Sequence, residues 1–367
     1  MRSLAIASLS VRDFRNLAKV DLELGAGFNV LSGDNGQGKT NLLEAVYVLA
    51  TSRSFRTSRI DELVSAGAET ASLRGRVSDA GEEREQTVGM RRGLRATRID
   101  GKRPPSLAAY ALRTPVVVFH PGSLALTAGG GSERRRLLDR VALYSFPASL
   151  AEATSYGQAM RARKRVLEKR GESAGDLDGW EELMVRHGIA LSHARGAAAE
   201  LLIPAAESAF SKIGPADLAL TMSYERGAPP DPEAFRAELA KRRVQDRARG
   251  AATVGPHRDD LTLRLGTLGV RAMASQGQHR AVVLALELGE IDVITATRGV
   301  RPILLLDDVS SELDRARTAS LLEALRDERG QVLLTTTRPE LIDEAGLSGV
   351  EDRLSFRVVR GDIRATT

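Results

Sequence analysis

Alternating apolar and polar positions dominate the first part of the chain. Residues 4–11 and 18–24 have the two-residue period of strands in an antiparallel sheet, and residues 28–31 read as a third such strand. Two further strands are predicted, one at residues 98–103, where Asp-Gly stands in a hairpin setting, and one at residues 114–119. The pattern therefore predicts a first region that is rich in strands.

The character of the chain changes near residue 130. Between residues 132 and 210 the helix-forming residues Ala, Leu, Glu and Arg dominate, and a break at residues 171–175 separates two long helices. Each helix would run roughly 30 residues, or about 45 Å, and the pair would form a short antiparallel arm. A strand near residues 218–224 and a polar helix at residues 231–249 are predicted to follow.

The last third of the chain alternates between strands and helices. A strand at residues 261–265 precedes a helix at residues 278–297. The order continues with a strand at residues 302–307, a helix at residues 318–327 and a strand at residues 331–336. Such alternation is typical of α/β proteins.

A glycine-rich loop carries a phosphate-binding pattern. Residues 33–40 read GDNGQGKT, which fits G-x-x-x-x-G-K-T, and they join the strand at residues 28–31 to a predicted helix. Glycines allow backbone N–H groups to turn towards phosphate oxygens at the positive end of a helix dipole. Lys39 would reach the β- and γ-phosphates of a nucleotide, and the Thr40 hydroxyl would hold Mg²⁺. The expected nucleotide contacts of this loop are Gly33, Asp34, Asn35, Gly36, Gln37, Gly38, Lys39 and Thr40.

Asp307 and Asp308 directly follow four aliphatic residues at 303–306. A buried parallel strand delivers such side chains to its carboxyl end, where the sites of α/β proteins lie. Because a carboxylate in this place is otherwise costly to bury, Asp307 is predicted to be a Mg²⁺ ligand. Asp308 is predicted to position the attacking water, and the alternative is that it supports Mg²⁺ indirectly.

The composition is that of an ordinary globular protein with room for two or three domains, since 42% of its 367 residues are apolar and 28% are charged. No apolar run approaches the roughly 20 residues of a membrane span, and the N-terminus becomes polar too soon for a secretory signal. The absence of cysteine excludes disulfides and thiolate metal sites. We therefore expect a cytoplasmic protein with no membrane partner.

Arginine strongly outnumbers lysine among the 53 basic residues, of which seven are lysine and 46 are arginine. A GC-rich genome explains this usage as well as phosphate contact by guanidinium groups does. Clusters at residues 134–136, 161–170 and 241–249 are typical of a nucleic-acid backbone binder, but solvated helix faces display them too. Aromatic residues do not interleave with these clusters, which favours duplex over single-stranded DNA. The candidate DNA contacts from the first cluster are Arg134, Arg135 and Arg136, and the alternative is that this cluster holds two lobes of the protein together.

Taken together, these segments resemble the RecF family of recombination-mediator ATPases, which is related to the chromosome-maintenance (SMC) heads. The resemblance covers nearly the whole chain. It is carried by residues 14–16 (FRN), 33–50, 53–56 (RSFR), 255–260 (GPHRDD), 275–278 (SQGQ) and 306–314 (LDDVSSELD). The chain departs from the family pattern at residues 130–131, where the usual Gly-Gly-Pro lacks its proline, and at residues 135–139, which read RRLLD.

The resemblance assigns a role to residues 275–278. They are similar to the signature loop of ATP-binding-cassette proteins, which caps the γ-phosphate of a nucleotide bound to a second subunit. With Lys39 and Asp308, Ser275 would complete the catalytic set. The expected contacts of this loop with the partner's nucleotide are Ser275, Gly277 and Gln278.

The resemblance also bears on Asp314, Arg56, Asp308, His120 and the threonines at 335–337. Asp314 looks like a dimer-interface residue, with helix N-capping as the alternative. Arg56 would reach nucleotide or DNA, unless it is an ordinary surface arginine. Asp308 stands where most cassette relatives have the longer glutamate, so hydrolysis should be slow. His120 stands near the place of the glutamine of cassette ATPases, and the threonines at 335–337 stand where those proteins carry a histidine.

The fold implied by the resemblance is an ABC/SMC-type P-loop ATPase head of the α/β class, a mixed sheet with helices. An inserted helical lobe would carry the short antiparallel arm. Residues 1–130 would form the N-terminal half of the ATPase lobe with the phosphate-binding loop, and residues 131–253 the inserted lobe and arm. Residues 254–367 would form the C-terminal half with the signature loop and the carboxylate strand.

The function implied by the resemblance is ATP-dependent DNA binding in recombinational repair and replication-fork maintenance. ATP and Mg²⁺ would close a homodimer that clamps duplex DNA near single-strand gap junctions. The dimer would help mediators of the RecR and RecO type to load recombinase, and a weak, DNA-stimulated ATPase activity would reset it. The family is also linked to the SOS response.

Two alternatives differ in class. An SMC-like head that processes DNA ends is disfavoured because an insert of about 80 residues is too short for a long coiled coil. A transporter ATPase subunit is disfavoured by the missing histidine and glutamine and by the arginine-rich arm. Salt-dependent DNA binding separates DNA-binding proteins from transporter subunits.

Overall fold

A computed structural model describes residues 3–308, 322, 325, 330–347 and 352–366 of the chain. Its strands are β1 Leu4–Phe14, β2 Leu17–Glu23, β3 Phe28–Ser32, β4 Thr70–Asp79, β5 Glu82–Arg91, β6 Leu94–Ile99, β7 Val116–Phe119, β8 Leu220–Glu225, β9 Asp260–Leu265, β10 Leu268–Gly269, β11 Ile303–Leu306, β12 Val332–Thr336, β13 Arg353–Val359 and β14 Asp362–Thr366. Its α-helices are α1 Lys39–Thr51, α2 Leu107–Ala111, α3 Ala125–Ala128, α4 Gly131–Ser145, α5 Ser149–Arg170, α6 Leu177–Ile213, α7 Pro232–Lys241, α8 Arg243–Arg249, α9 Val270–Met273, α10 Gln276–Arg298 and α11 Pro339–Ile342. The helix expected at residues 318–327 lies largely outside the described residues.

The chain divides into two compact units. Residues Met1–Ser123 and Glu290–Thr367 form the first, and Leu124–Gly289 form the second. The second unit includes residues 254–289, and within it β9 pairs along its whole length with β8. The three segments expected from the sequence divide the chain at other positions. Their assignment to an ATPase lobe and an inserted lobe stays a prediction.

The first unit contains a five-stranded antiparallel sheet in the order β2-β1-β4-β5-β6. The alternating pattern at residues 4–11 and 18–24 is confirmed as β1 and β2, which pair with each other. The predicted Asp-Gly turn is confirmed after β6. Asp100 and Gly101 have φ angles of 49° and 74°, and Ile99 and Lys102 exchange backbone hydrogen bonds across them.

A six-stranded sheet in the order β14-β13-β3-β12-β11-β7 also belongs to the first unit. Within it β13, β3, β12, β11 and β7 are parallel, and β14 is an antiparallel edge. The prediction that residues 28–31 form an antiparallel strand with their predecessors is therefore wrong. All four are buried, which is the pattern of a central strand covered on both faces. The parallel strand predicted before Asp307 is confirmed as β11.

Helix α1 follows β3 and packs into the hydrophobic core of the first unit. Leu42, Leu43 and Leu49 of this helix are almost fully buried, in a core that also contains Leu9 of β1 and Leu305 of β11. Fully burying a leucine side chain contributes roughly 1.5–3 kcal/mol. The core therefore fixes the N-terminus of α1, and with it the loop that precedes the helix.

The second unit contains the helical arm and the antiparallel sheet β10-β9-β8. The arm helices α5 and α6 run antiparallel, because Tyr156 lies beside Gly188 while Arg163, seven residues later, contacts Glu181. The expectation of two equal helices is corrected, since α5 has 22 residues and α6 has 37. Pro147 ends α4 and separates it from α5, because a proline disfavours helical geometry at the residue before it.

The polar helix predicted at residues 231–249 consists of two helices, α7 and α8, which meet at Arg242. Asp231 caps the first of them by accepting a hydrogen bond from the Ala234 N–H, and Pro232 occupies its first turn. No helix in the described part of the chain has the length and apolar character needed to cross a membrane.

Candidate nucleotide-binding site

The loop between β3 and α1 has a backbone that requires glycine at two positions. Gly33 has a φ angle of 154°, and a Cβ there would lie 2.4 Å from the Val358 carbonyl oxygen. Gly38 has a φ angle of 114°, and a Cβ there would lie 2.9 Å from the Asn16 Oδ1 atom. A side chain at either position would be strained and would collide with neighbouring segments. Val358 and Asn16 thus pack against the predicted phosphate-binding loop. The loop leads into α1 at Lys39.

Lys39 is 6% exposed. Its Nζ atom donates to the carbonyl oxygens of Gly33, at 2.6 Å, and of Asp34, at 2.8 Å. Burial lowers the pKa of Lys39, while the carboxylates of Asp308, Asp307 and Asp34 act in the opposite direction. The loop thereby holds a cation at the N-terminus of a helix, where N–H groups and the helix dipole also favour an anion.

Asp307 lies at the carboxyl end of β11 and is 4% exposed. Its carboxylate accepts hydrogen bonds from the Thr40 hydroxyl at 2.8 and 3.0 Å and from the Thr335 hydroxyl at 2.8 Å. Burial raises the pKa of Asp307, with a smaller contribution from the charge of Asp308, and the two hydroxyl bonds oppose this rise. The structure thus joins the phosphate-binding loop to the carboxylate strand through Thr40.

Asp308 has a left-handed backbone, with a φ angle of 54°. Its N–H donates to the Thr335 hydroxyl at 2.9 Å. Among the described residues no hydrogen-bond partner is found for the buried Oδ1 atom of Asp308. A buried carboxylate oxygen only accepts hydrogen bonds, so this atom is suited to a water molecule or to a cation.

These side chains fit a nucleotide with Mg²⁺. Thr40 and Asp307 supply a hydroxyl and a carboxylate, which are the hard oxygen ligands that Mg²⁺ prefers. In the described part of the chain no cluster of three His, Cys, Asp or Glu residues suits a metal ion. Mg²⁺ usually takes only one or two ligands from carboxylates and the rest from phosphates and water, and Asp307 with Thr40 meets that demand.

A buried ionic network lies beside the phosphate-binding loop, and sequence reasoning missed its centre, Glu44 of α1. The Glu44 side chain is fully buried and accepts from Arg15 at 2.9 Å, from Ser54 at 2.5 Å and from Arg56 at 3.1 Å. A fully buried carboxylate requires such partners. The available signal was a single glutamate within the apolar run of residues 42–50.

Arg56 is bound to the outer side of this network. Its Nη1 atom also donates to Asn41 Oδ1 at 2.7 Å, and the side chain stays 41% exposed. The charge of Arg56 is close enough to Asp307 to oppose the rise in the pKa of that carboxyl. The role of Arg56 in nucleotide or DNA contact stays a prediction.

The segment at residues 275–278 forms the N-terminal cap of α10. The Ser275 N–H donates to Gln278 Oε1 at 2.8 Å, and the Gln278 N–H donates to Ser275 Oγ at 3.3 Å. This reciprocal arrangement is a capping box, which satisfies two backbone groups at the helix end. Ser275 is exposed, and Gly277 lies in the first turn of α10. Asp314 lies outside the described residues.

His120 follows β7. Its ring lies 4.8 Å from the ring of Phe55, and its Nδ1 atom accepts from the Gly122 N–H at 3.1 Å. Thr335, one of the threonines that replace the histidine of cassette ATPases, contacts both Asp307 and the Asp308 N–H. Thr335 is therefore a functional candidate in its own right.

The arginine cluster in α4 divides between structure and surface. Arg134 is 7% exposed and makes two hydrogen bonds to Asp260, at 2.7 and 2.8 Å, and one to the Leu126 carbonyl oxygen. Arg135 donates to the Asp259 carbonyl oxygen at 2.7 Å. The expectation that Arg134 faces DNA is corrected, because its guanidinium is occupied inside the second unit.

Arg136 is the member of the α4 cluster with an exposed side chain. It is 70% exposed and pairs with Glu133. The other predicted clusters divide in the same way. Arg163 is fully buried between Glu181 and Asp246, with N–O distances of 2.9 and 2.7 Å.

The sequence is similar to known DNA repair proteins over nearly its whole length. Residues 5–354 match the family model described as "RecF/RecN/SMC N terminal domain". The chain is 44% identical over 349 residues to a DNA replication and repair protein RecF of Anaeromyxobacter sp. (strain Fw109-5), covering 93% of this chain and 94% of that protein. It is 40% identical over 369 residues to the DNA replication and repair protein RecF of Myxococcus xanthus (strain DK1622), covering 98% and 96%.

Solved structures show the same relationship. A structure of the recombination mediator protein RecF–ATPrS in the RecFOR pathway matches with a TM-score of 0.87 and 28% identity, over 100% of this chain and 99% of that chain. The corresponding RecF–ATP structure has a TM-score of 0.86 at 28% identity, and covers 100% of both chains. An Smc head domain from Pyrococcus furiosus shares the fold, with a TM-score of 0.56 and 16% identity over 99% and 96%. The predicted ATPase-head fold is confirmed.

Proposed function

Because the chain belongs to the RecF family of DNA replication and repair proteins, we propose that it is an ATP-dependent DNA-binding switch of recombinational repair. The observation that carries this proposal is the contact between Thr40 and Asp307, at 2.8 Å. This contact joins a phosphate-binding loop to a carboxylate at the carboxyl end of a parallel strand, where nucleotides bind in α/β proteins. The related structures named RecF–ATP and RecF–ATPrS support the same nucleotide.

Each side chain of the site then has a chemical task. Lys39 faces the β- and γ-phosphates, and the N–H groups of the loop surround them. Thr40 and Asp307 hold Mg²⁺, which neutralises phosphate charge when it is bound. Asp308 orients the attacking water through its Oδ1 atom, for which no hydrogen-bond partner is found among the described residues. Because an aspartate reaches less far than a glutamate, the ATPase is weak and acts as a switch.

The nucleotide is proposed to act between two copies of the chain. Ser275, Gly277 and Gln278 would approach the γ-phosphate held by the other copy, and Asp314 would lie at the same interface. The exposure of Ser275 supports this role, since a residue that serves a partner must be accessible. ATP would thus favour a homodimer, and hydrolysis would release it.

DNA is proposed to contact the protein through its phosphate backbone. An arginine surface on the first unit, defined by Arg53, Arg91, Arg92 and Arg95, supports this proposal. Arg91 and Arg92 are exposed at the β5–β6 turn, and Arg95 donates to the Ser52 carbonyl oxygen at 2.7 Å. The charge of Arg53 is close enough to lower the pKa of Arg95, although burial is the larger cause. Arg136 and Arg56 stay additional candidates.

The closed dimer would clamp duplex DNA near single-strand gaps. There it would help mediators of the RecR and RecO type to load recombinase, and it would act in replication-fork maintenance and the SOS response. The relatives named in the RecFOR pathway support this assignment.

The test is a binding titration of duplex, single-stranded and gapped DNA, with and without ATP, at several salt concentrations. We expect ATP to strengthen binding to gapped duplex, and we expect the affinity to fall steeply with salt because phosphate contacts release counterions. ATP binding without any ATP-dependent change in DNA affinity would reject the switch. Binding that is insensitive to salt would reject the proposed backbone contact.

A further inference from the structure

The phosphate-binding loop is held from outside by the turn between β13 and β14, which is 323 residues away in the chain. The Gly361 N–H donates to the Gln37 carbonyl oxygen at 2.8 Å, and the Arg360 N–H donates to Gln37 Oε1 at 2.6 Å. Both donors are backbone groups of a two-residue turn with φ angles of 50° and 82°. The contact therefore depends on the conformation of the turn and not on its side chains.

A second turn also contacts Gln37. Asn16, in the turn between β1 and β2, donates from Nδ2 to the Gln37 carbonyl oxygen at 3.4 Å. A Cβ at Gly361 would lie 2.3 Å from the Asn16 carbonyl oxygen, and a Cβ at Gly38 would lie 2.9 Å from Asn16 Oδ1. The two turns and the loop therefore meet with no room for an added methyl group.

Peptide geometry gives this contact a consequence for phosphate binding. The described part of the chain contains no cis peptide bonds, and in a trans peptide the C=O of one residue and the N–H of the next point in opposite directions. Fixing the Gln37 carbonyl towards the β13–β14 turn therefore fixes the Gly38 N–H away from it. In a phosphate-binding loop that side is occupied by the phosphates.

We propose that the β13–β14 turn is a positioning element of the nucleotide site, in which Arg360 and Gly361 hold Gln37 so that the Gly38 N–H faces the β-phosphate. The Gln37 side chain then serves the loop and does not touch the nucleotide. This inference rests on the proposed nucleotide site and adds to it a determinant near the C-terminal end of the chain.

A matched pair of glycine variants tests the inference. The turn between β4 and β5 has the same backbone, since Ala80 and Gly81 have φ angles of 55° and 88°. A Cβ at Gly81 meets nothing within 4 Å, whereas a Cβ at Gly361 meets Asn16. Gly361→Ala and Gly81→Ala therefore carry the same backbone strain, and only Gly361→Ala disturbs the loop.

We expect Gly361→Ala to weaken the binding of both ATP and ADP by about tenfold, because both nucleotides have a β-phosphate. Gly81→Ala should bind both nucleotides as the unchanged protein does. Affinities are measured with the full-length protein well below both melting temperatures, and DNA binding without nucleotide serves as a control for folding. Equal nucleotide affinity in the two variants would overturn the inference. If the unchanged protein bound no ATP, the proposed function itself would fail.

A second pair covers the case in which Gly361→Ala does not fold. Gln37→Met keeps the length of the side chain and removes the acceptor for the Arg360 N–H, so nucleotide affinity should fall by roughly threefold to tenfold. Gln158→Met makes the same exchange at an exposed position of α5, so affinity should be unchanged. A loss with Gln158→Met, or none with Gln37→Met, would contradict a role for the contact between the turn and the loop.

Discussion

The phosphate-binding loop and the signature segment are built in opposite ways. At residues 33–40 the buried Lys39 donates to two loop carbonyl oxygens, and Thr40 donates to a carboxylate from a distant strand. At residues 275–278 Ser275 and Gln278 bond to each other, and Ser275 is exposed at the start of α10. The first site is preformed within one chain, whereas Ser275 of the second is accessible to a partner. The two sites should therefore respond differently to substitution.

The largest effect is expected at the preformed site. Lys39→Met removes the cation that faces the β- and γ-phosphates, so ATP affinity should fall by about a hundredfold, and ATP-dependent dimerisation should be lost. Isothermal titration and light scattering measure the two quantities. Lys19→Met, at an exposed position of β2, is the control and should change neither. A Lys39→Met protein that still dimerised with ATP would remove the phosphate-loop assignment.

Ser275→Arg tests the exposed site. Bulk and charge there should block the closed dimer and hydrolysis, while ATP affinity of the monomer stays within about twofold, because the segment serves the partner's nucleotide. Ser211→Arg places the same side chain at another exposed serine and should leave dimerisation intact. A parallel loss of monomer ATP affinity would show that Ser275 acts within its own chain.

Asp308→Asn separates binding from turnover at the preformed site. The amide keeps the shape of the side chain but is a far weaker base, so hydrolysis should slow by about a hundredfold. ATP binding should persist, and closed, DNA-bound dimers should accumulate. Single-turnover phosphate release and DNA retention measure these effects. Unchanged turnover would show that a residue other than Asp308 positions the attacking water.

Helix α4 shows the same contrast, between an arginine that is paired inside the protein and an arginine that is exposed. Arg134→Ala leaves the Asp260 carboxylate, about one third exposed, without its partner, and should lower the free energy of unfolding by about 2 kcal/mol. The slope of log affinity against log salt should not change. Arg136→Ala should leave thermal stability unchanged and should make that slope shallower by up to about 0.9, the value for one phosphate contact. A shallower salt slope with Arg134→Ala at unchanged stability would show that Arg134 contacts DNA.

Much of the nucleotide site was predictable because its parts are local. A phosphate-binding loop needs glycines, a lysine and a hydroxyl within eight consecutive positions, and a carboxylate strand needs an aliphatic run before its aspartates. Both patterns are complete in short segments of this chain, at residues 33–40 and 303–308. The order of the segments and the resemblance to a known family supplied the ATPase-head fold.

Tertiary structure decided the features that depend on residues far apart in the chain. Arg134 and Arg136 are equivalent in a sequence, but only Arg134 meets Asp260, 126 residues later, and is buried there. The same holds for β3, whose parallel neighbours come from the C-terminal part of the chain, and for Gln37, whose carbonyl is held by the β13–β14 turn. A local pattern specifies which groups a segment offers. The packing of distant segments determines which of those groups are used internally and which remain for a ligand, because a buried charge or carbonyl must find its partner wherever the fold brings one.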